Sequence, residues 1–310
     1  MFVYGEEYSI GYDRYGGCEL SRLVLGGASF GKLSQLEVDR ILNFAHDRGI
    51  TKIDTARGYP NSEKRIGSYL KMHNAFRVNT KVGLPDPSLF TPKGIRDSLE
   101  ISLRNLNTER VGTLFIHSLP KSFFTDKNIG EMVKLKQDGK VERIGYSGDG
   151  TDLESALCIE AMDDFMFTYN IIDQSNSFAF SKMNFGGEAY IKIPLAQGIW
   201  RSLQFDRQIA SSKLMRFLFN KPPLPESWID YKRRFQKLRG TFLSREYPSE
   251  FLKFSLYAEN SKQFVVLGTS SLVHIEEAIQ IESKVPDQQD IFHYKQLWND
   301  ESSLNWRAHT

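Results

Sequence analysis

The stretch LVLGGASFGKLSQLEVDRILNFAHDRGITKID, residues 23–54, places an apolar run, an amphipathic segment and a second apolar run in succession. Apolar residues recur with helical spacing in the middle segment, which predicts a helix over Gln35–Arg48. Gly49 follows that segment and suits a left-handed helix end. This order is typical of a strand, a crossover helix and a parallel strand.

The same alternation recurs along the chain and predicts eight strands. They are Leu23–Gly26, Thr51–Asp54, Arg77–Lys81, Val111–His117, Arg143–Ser147, Phe165–Tyr169, Ala189–Ile193 and Phe264–Leu267. A second clear helix is predicted over Pro92–Leu106, which begins with a proline and carries apolar residues four apart. The G-x-G-x-x-G fingerprint of an open dinucleotide-binding sheet is absent after the first strand.

The fold class expected from this count is α/β, as a single (β/α)8 TIM barrel. One domain is expected over 1–310, with an N-terminal extension or hairpin, the barrel at about 20–285 and a tail at 286–310. An enlarged, partly helical loop is expected after the seventh strand, over the barrel mouth, because about 60 residues separate it from the eighth. That loop contains the proline-rich 221–225 and the basic stretch from Lys232 to Arg239. The basic stretch is interpreted as a solvated helix face, with an anion site as the alternative.

Composition excludes several classes of protein. The 310 residues include 40 basic and 38 acidic side chains, so a net charge of +2 gives no electrostatic case for a nucleic acid or membrane partner. No long apolar run and no secretory leader are present, and a cytoplasmic monomer or small homo-oligomer is expected. Cys18, Cys158 and six histidines lack metal-site spacing, so no metal site is expected and both thiols are expected to be buried.

Three consecutive predicted strands end in ionisable residues, Asp54, Lys81 and His117. The carboxyl ends of barrel strands form the functional face, and neighbouring strands lie about 5 Å apart. Tyr59 follows Asp54 by five residues and precedes Pro60, which restricts where its side chain points. Each residue alone has an ordinary structural explanation, but their combination favours an active site.

The chemistry of these groups suggests a proton donor. A phenol titrates near pH 10 in isolation, and a neighbouring Lys81 ammonium is expected to lower the pKa of Tyr59. Asp54 is expected to keep Lys81 charged. His117 is expected to donate a hydrogen bond to a substrate oxygen.

Longer motifs around these residues resemble those of the aldo-keto reductase family. They are Ile53–Tyr59 with Ser62-Glu63 and Ile66-Gly67, Thr80-Lys81, Ser98–Leu106, Phe115–Ser118, Gly139–Gly145, Pro194–Gly198 and Gly268–Ser271. The resemblance covers about residues 18–283. It implies a barrel that binds NADPH, with NADH as the alternative, and reduces a carbonyl with Tyr59 as the acid. Asp54, Lys81 and His117 complete the implied catalytic tetrad.

The same resemblance implies a set of cofactor contacts. They are Ser147, Lys192, Pro194, Leu195, Gly268, Thr269, Ser270, Ser271 and His274. Ser147 matches the serine that binds the nicotinamide amide, and 268–278 matches the phosphate-binding segment at a helix N-terminus. Gly148-Asp149 and Met166 stand where the family has an asparagine and a glutamine. For Lys192, a solvated strand end is the alternative to a cofactor contact.

The expected substrate is a small aldehyde, ketone or sugar. Candidate pocket residues are Leu84–Phe90, Pro120–Phe124, Trp200 and Phe205, while the basic residues of 201–239 leave room for an anionic or nucleotide-linked substrate. One alternative function is a non-catalytic nicotinamide sensor or regulatory subunit on the same barrel. Another is a lyase that forms a Schiff base through Lys81.

Overall fold

The computed structural model describes residues 14–15, 18–19, 21–73, 75–184, 186–199, 226–242, 246–259 and 263–300. A short antiparallel hairpin, β1 Arg14–Tyr15 and β2 Cys18–Glu19, precedes the main sheet. The following strands are β3 Leu23–Gly26, β4 Lys52–Asp54, β5 Arg77–Val82, β6 Val111–His117, β7 Val141–Ser147, β8 Asp164–Thr168, β9 Ala189–Lys192 and β10 Gln263–Leu267. Each pairs in parallel with its neighbour and β10 pairs with both β9 and β3. The predicted eight-stranded barrel and N-terminal hairpin are confirmed.

Helices alternate with the barrel strands. They are α1 Gln35–His46, α2 Ser62–Leu70, α3 Pro92–Leu106, α4 Asp126–Gln137, α5 Gly150–Leu157, α6 Phe178–Lys182, α7 Glu226–Leu238, α8 Tyr247–Tyr257, α9 Leu272–Glu282 and α10 Gln288–Asp300. A capping box between Ser34 and Glu37 starts α1. This helix ends at His46 rather than at the predicted Arg48, because the chain turns towards β4 through Gly49, which has φ of 82°.

The barrel interior is apolar at its centre and charged at its N-terminal end. Val24, Phe115, Met166 and Tyr190 pack together as a buried cluster. At the start of the strands, Glu188 accepts hydrogen bonds from Lys52, Arg77 and Tyr190 at 3.1, 3.2 and 2.6 Å. These charges are paired with one another at that end. The candidate site residues lie at the opposite end of the barrel.

The segment after β9 corrects one sequence-based interpretation. Its described part contains α7 and α8, as expected for a partly helical loop, while Trp200, Arg201, Phe205 and 221–225 lie outside the described residues. Arg234 of α7 is 1% exposed, donates to the carbonyl oxygen of Ile172 at 3.0 Å and stacks over Trp298 at 3.8 Å. The interpretation of the basic stretch as a solvated face is therefore wrong for Arg234, because this guanidinium is a packing group between helices.

One further expectation changes. Cys158 is exposed rather than buried, because it follows the last turn of α5 on the outer surface. The expected tail contains α10, whose Ile291 and Tyr294 are buried in the core. No helix in the part of the chain that the structure describes is both long and apolar enough to cross a bilayer.

Candidate active site

A buried ion pair joins the ends of β4 and β5. Lys81 Nζ donates to Asp54 Oδ2 and to the carbonyl oxygen of Thr55, the latter at 2.8 Å. Asp54 and Lys81 are 3% and 2% exposed. The second carboxylate oxygen, Asp54 Oδ1, has no hydrogen-bond partner among the described residues. The strand-end acid and base that the sequence predicted are therefore in direct contact.

Tyr59 lies on the loop between β4 and α2, above this pair. The loop is fixed by a hydrogen bond from the Arg57 amide to the Lys81 carbonyl oxygen at 3.1 Å. A glycine is required at position 31, because a Cβ atom there would lie 1.7 Å from the Pro60 carbonyl oxygen. Lys81 Nζ lies 5.2 Å from the centroid of the Tyr59 ring. The curled loop that the sequence predicted thus brings the phenol to the ion pair.

His117 completes the group from the end of β6. Its ring meets the Tyr59 ring edge to face, with centroids 5.7 Å apart and planes at 86°. The Nδ1 atom is buried and has no hydrogen-bond partner in the described chain. Asp54, Tyr59, Lys81 and His117 therefore converge at the carboxyl end of the barrel, where function is found in this architecture.

The pKa of Tyr59 corrects an expectation. Burial raises it above the ordinary value, and the negative charge of Asp54 adds to the rise. The expected lowering by Lys81 is overcome, because the ammonium is already neutralised by Asp54 in a direct ion pair. The phenol therefore carries its proton throughout the neutral range.

Burial also governs the other titratable groups. It raises the pKa of Asp54 and lowers that of Lys81, and in each case the partner's charge opposes the shift. The pKa of His117 falls to about 3, first through burial and then through the positive charges of Lys81 and Lys192. A neutral imidazole keeps one N–H donor and one acceptor nitrogen. His117 is therefore suited to donating a hydrogen bond without contributing a charge.

The opposite side of the mouth holds a second ion pair. Lys192, at the end of β9, lies 2.7 Å from Asp149 Oδ2, which contradicts the solvated-lysine alternative. Ser147, two residues before Asp149, is buried at the end of β7. Sequence reasoning noticed the unusual Gly148-Asp149 but missed the role of the carboxylate. The signal that could have revealed this ion pair is the register of β8 and β9, which places Lys192 beside Thr168, a hydrogen-bond partner of Asp149.

The predicted phosphate-binding segment forms the start of α9. Ser271 caps this helix by accepting from the His274 amide at 3.4 Å. Thr269 Oγ1 accepts from the Ser271 amide at 3.1 Å and lies 3.2 Å from His274 Nδ1. Gly268 and Ser270 are exposed. This is a polar, accessible helix N-terminus at the carboxyl end of β10, of the kind that attracts anions.

Other predicted contacts are less open. Pro194 is buried and Leu195 is half-buried, so both support the mouth by packing. A cavity of about 470 Å³ lies between the loops after β4 and β5 and α3. It is lined in part by the predicted pocket residues Leu84, Leu89 and Phe90. Phe123, from the second predicted pocket segment, packs edge to face on Phe90 at 6.1 Å.

Comparison with known proteins agrees with this geometry. The sequence model of the Aldo/keto reductase family matches residues 22–175, about half of the chain. A soybean (Glycine max) protein, "Probable aldo-keto reductase 1", is 29% identical over 151 residues, 44% of each chain. D-threo-aldose 1-dehydrogenase from a Pseudomonas species is 28% identical over 184 residues, 48% of this chain and 56% of its own. The chain thus spans about half the length of the curated relatives that it matches.

Solved structures extend the likeness over the whole barrel. The holo form of an aldo-keto reductase from Bacillus halodurans has a TM-score of 0.70 at 23% identity, covering 90% of this chain and 92% of its own. An aldo-keto reductase from Klebsiella pneumoniae in complex with NADPH has a TM-score of 0.63 at 16% identity, covering 91% and 92%. At these identities the structures establish the fold. With the family match, the relatives and the closed barrel in agreement, the chain belongs to the aldo-keto reductase family.

Proposed function

We propose that this protein is a carbonyl reductase that uses NADPH, with NADH as the alternative cofactor. The observation that carries the proposal is the convergence of Tyr59, His117 and the Asp54–Lys81 pair at the carboxyl end of the barrel. A protonated phenol can act as the general acid for a carbonyl oxygen, and a neutral imidazole can donate a hydrogen bond to the charge that develops there. Family membership supports the same reaction.

The residues present fit a nicotinamide cofactor, which supplies a hydride to the carbonyl carbon when bound. Ser147 and Lys192 would hold the nicotinamide end at the mouth. The start of α9, with Thr269 and Ser271, would hold the phosphates through backbone N–H groups and hydroxyls. The unpartnered Nδ1 of His117 is consistent with a mouth built to receive a polar ligand. A solved relative from Klebsiella pneumoniae in complex with NADPH supports the choice of cofactor.

Residues of the chain supply the proton that the substrate oxygen takes up. As negative charge develops on the substrate oxygen, Tyr59 Oη donates its proton to that oxygen and His117 donates a hydrogen bond to it. The raised pKa of Tyr59 keeps the proton in place until that charge develops. The Lys81–Asp54 ion pair lies beneath the phenol, with Lys81 Nζ 5.2 Å from its ring centroid, and keeps this buried position neutral overall.

The proposed substrate is an uncharged small molecule, an aldehyde, a ketone or a sugar-type carbonyl compound. The loop that carries Tyr59 borders a mainly apolar cavity, which Leu84, Leu89 and Phe90 line in part and none of the four tetrad residues lines. The name of the Pseudomonas relative, an aldose dehydrogenase, supports including sugars. The protein is proposed to act as one barrel domain, alone or as a small homo-oligomer.

The decisive experiment measures binding and turnover on the same full-length protein. Fluorescence titration gives the dissociation constants of NADPH and NADH, and loss of NADPH absorbance follows turnover with panels of aldehydes, ketones and aldoses. Binding with turnover on at least one carbonyl supports the reductase. Binding with no turnover on any panel member overturns it and favours the non-catalytic sensor. A Lys81 adduct trapped by borohydride with substrate would instead favour the lyase.

A further inference from the structure

The carboxylate of Asp149 is held in place by two neighbouring elements. Its Oδ1 accepts from the Thr168 amide at 2.7 Å and from Asn176 Nδ2 at 3.0 Å. Its Oδ2 accepts from Thr168 Oγ1 at 3.2 Å. Asp149 is 5% exposed and Asn176 is fully buried. The carboxylate is therefore a fixed negative charge at the ends of β7 and β8.

Lys192 forms an ion pair with this carboxylate. Its Nζ lies 2.7 Å from Asp149 Oδ2, and its side chain is 24% exposed at the rim of the mouth. Strand pairing places Lys192 beside Thr168, and Ser147 beside His117, so the pair borders the same mouth as the tetrad. The influence of the Lys192 charge on the pKa of His117 agrees with this placement. Asp149 thus fixes the position of the Lys192 ammonium group. It also partly neutralises the positive charge that this group presents to the mouth of the barrel.

A compensated pair differs in its electrostatic effect from either charge alone. Removal of one partner from a buried pair leaves the other charge uncompensated in a medium of low dielectric constant. The oxidised nicotinamide ring carries a positive charge and the reduced ring is neutral. Any uncompensated charge beside the ring therefore discriminates between the two forms.

We propose that Asp149 is a positioning residue for Lys192, and that the balance of this ion pair sets the relative affinity of the mouth for oxidised and reduced cofactor. The proposal rests on the proposed function, in which Ser147 and Lys192 border the nicotinamide ring. The intact pair presents little net charge to the ring. Loss of either member shifts the preference, and the direction depends on which member is lost.

The test is the ratio of the dissociation constants of NADP⁺ and NADPH, measured by titration without turnover. Asp149→Asn keeps an oxygen for the Thr168 amide but frees the Lys192 charge, so the ratio is expected to rise about tenfold. Lys192→Met leaves the Asp149 charge and is expected to lower the ratio about tenfold. The double variant removes both charges and is expected to return to within about threefold of the wild-type ratio.

A matched control removes a similar charge on α5, the helix that begins directly after Asp149. Glu154 of α5 pairs with Lys182 at 2.6 Å, and these side chains are 53% and 45% exposed. Glu154→Gln is expected to leave the ratio unchanged, because solvent screens an exposed pair. General loss of folding lowers both affinities together and does not move the ratio.

Each outcome bears on a different claim. Shifts of opposite sign in the two single variants, with recovery in the double, support the charge-balance role. Shifts of the same sign, or an unmoved ratio with wild-type binding intact, overturn it and leave the proposed function standing. Failure of the wild-type protein to bind either form overturns the proposed function itself. If Asp149→Asn does not fold, Lys192→Met alone decides, because a ratio that does not fall overturns the proposal.

Discussion

The rings of Tyr59 and His117 meet edge to face, with centroids 5.7 Å apart. One comes from a loop after β4 and the other from the end of β6, so the barrel joins them across β5. Lys81 lies at the end of β5 with its Nζ 5.2 Å from the phenol centroid. A phenol O–H and an imidazole N–H, two donors from which a carbonyl oxygen can accept, are therefore carried by rings in direct contact.

Removal of the phenol hydroxyl tests the proton donor. Tyr59→Phe keeps the ring that packs against His117 and is expected to lower kcat by about 10²- to 10⁴-fold, the usual contribution of a general acid. Cofactor affinity is expected to stay within about twofold of wild type. Single-turnover loss of NADPH absorbance and fluorescence titration give the two quantities separately.

A second phenol provides the control for this substitution. Tyr69 lies on α2, away from the strand ends, and its hydroxyl donates a hydrogen bond to Asn43 Oδ1 of α1 at 2.8 Å. Tyr69→Phe is expected to leave kcat within about twofold while costing about 1 kcal/mol of stability. Equal kcat values for Tyr59→Phe and Tyr69→Phe would contradict the assignment of Tyr59 as the acid.

The buried Asp54–Lys81 pair predicts a strongly non-additive effect on stability. Lys81→Met leaves a buried carboxylate unpaired and is expected to lower the free energy of unfolding by about 3–5 kcal/mol. Adding Asp54→Asn removes the orphaned charge and is expected to recover more than half of that loss. Urea denaturation of the two single variants and the double variant measures the coupling.

An exposed ion pair sets the baseline for that cycle. Lys93 and Asp97 form an i,i+4 pair on α3, with side chains 86% and 55% exposed. Lys93→Met is expected to change stability by less than about 0.5 kcal/mol. If the losses of unfolding free energy in the two single variants simply add in the double variant, Asp54 and Lys81 are not coupled as a buried ion pair.

The depressed pKa of His117 predicts a pH dependence with a definite sign. The pKa is about 3 in the folded protein against an ordinary value of 6.5, so the unfolded chain binds more protons between these values. Stability is therefore lost as the pH falls through this window. From about pH 7 to pH 5 the wild type is expected to lose about 2 kcal/mol more than His117→Asn.

The same neutral imidazole predicts a flat activity profile near pH 6.5. His117 does not change charge there in the folded protein, so kcat/KM is expected to show no limb from this residue. Urea midpoints across that pH range measure the loss of stability, and initial rates across the same range measure kcat/KM. A limb near pH 6.5 that disappears in His117→Asn would contradict a buried neutral histidine.

Features that repeat along the chain were predictable from sequence. Most barrel strands contain a short apolar run, and Asp54, Lys81 and His117 each end or nearly end a strand, so chain order alone placed them at one face. The convergence of Tyr59 followed from its short distance along the chain from Asp54. These predictions needed only local patterns and the geometry of parallel strands.

Features set by contacts distant in sequence were not predictable. The pKa of Tyr59 depends on how far the closed barrel buries it, which no local pattern records. Asp149 and Lys192 lie 43 residues apart in number and meet only because β8 places Thr168 beside both. Arg234 is buried because Trp298 of α10 covers it.

A close approach between α2 and α3 predicts that one glycine is essential to the frame behind the site. A Cβ atom at Gly67 would lie 2.0 Å from the Asn105 carbonyl oxygen, so the helices must separate to admit it. The first turn of α2 carries Glu63, which accepts from Thr80, the neighbour of Lys81, at 2.8 Å. Gly67→Ala is therefore expected to cost about 1–3 kcal/mol despite the better helix propensity of alanine.

Gly130 of α4 has nothing within 4 Å of its would-be Cβ, so Gly130→Ala is expected to stabilise by about 0.5–1 kcal/mol. Urea midpoints that moved in the same direction for both substitutions would show that helix propensity, and not the α2–α3 contact, sets the requirement for glycine.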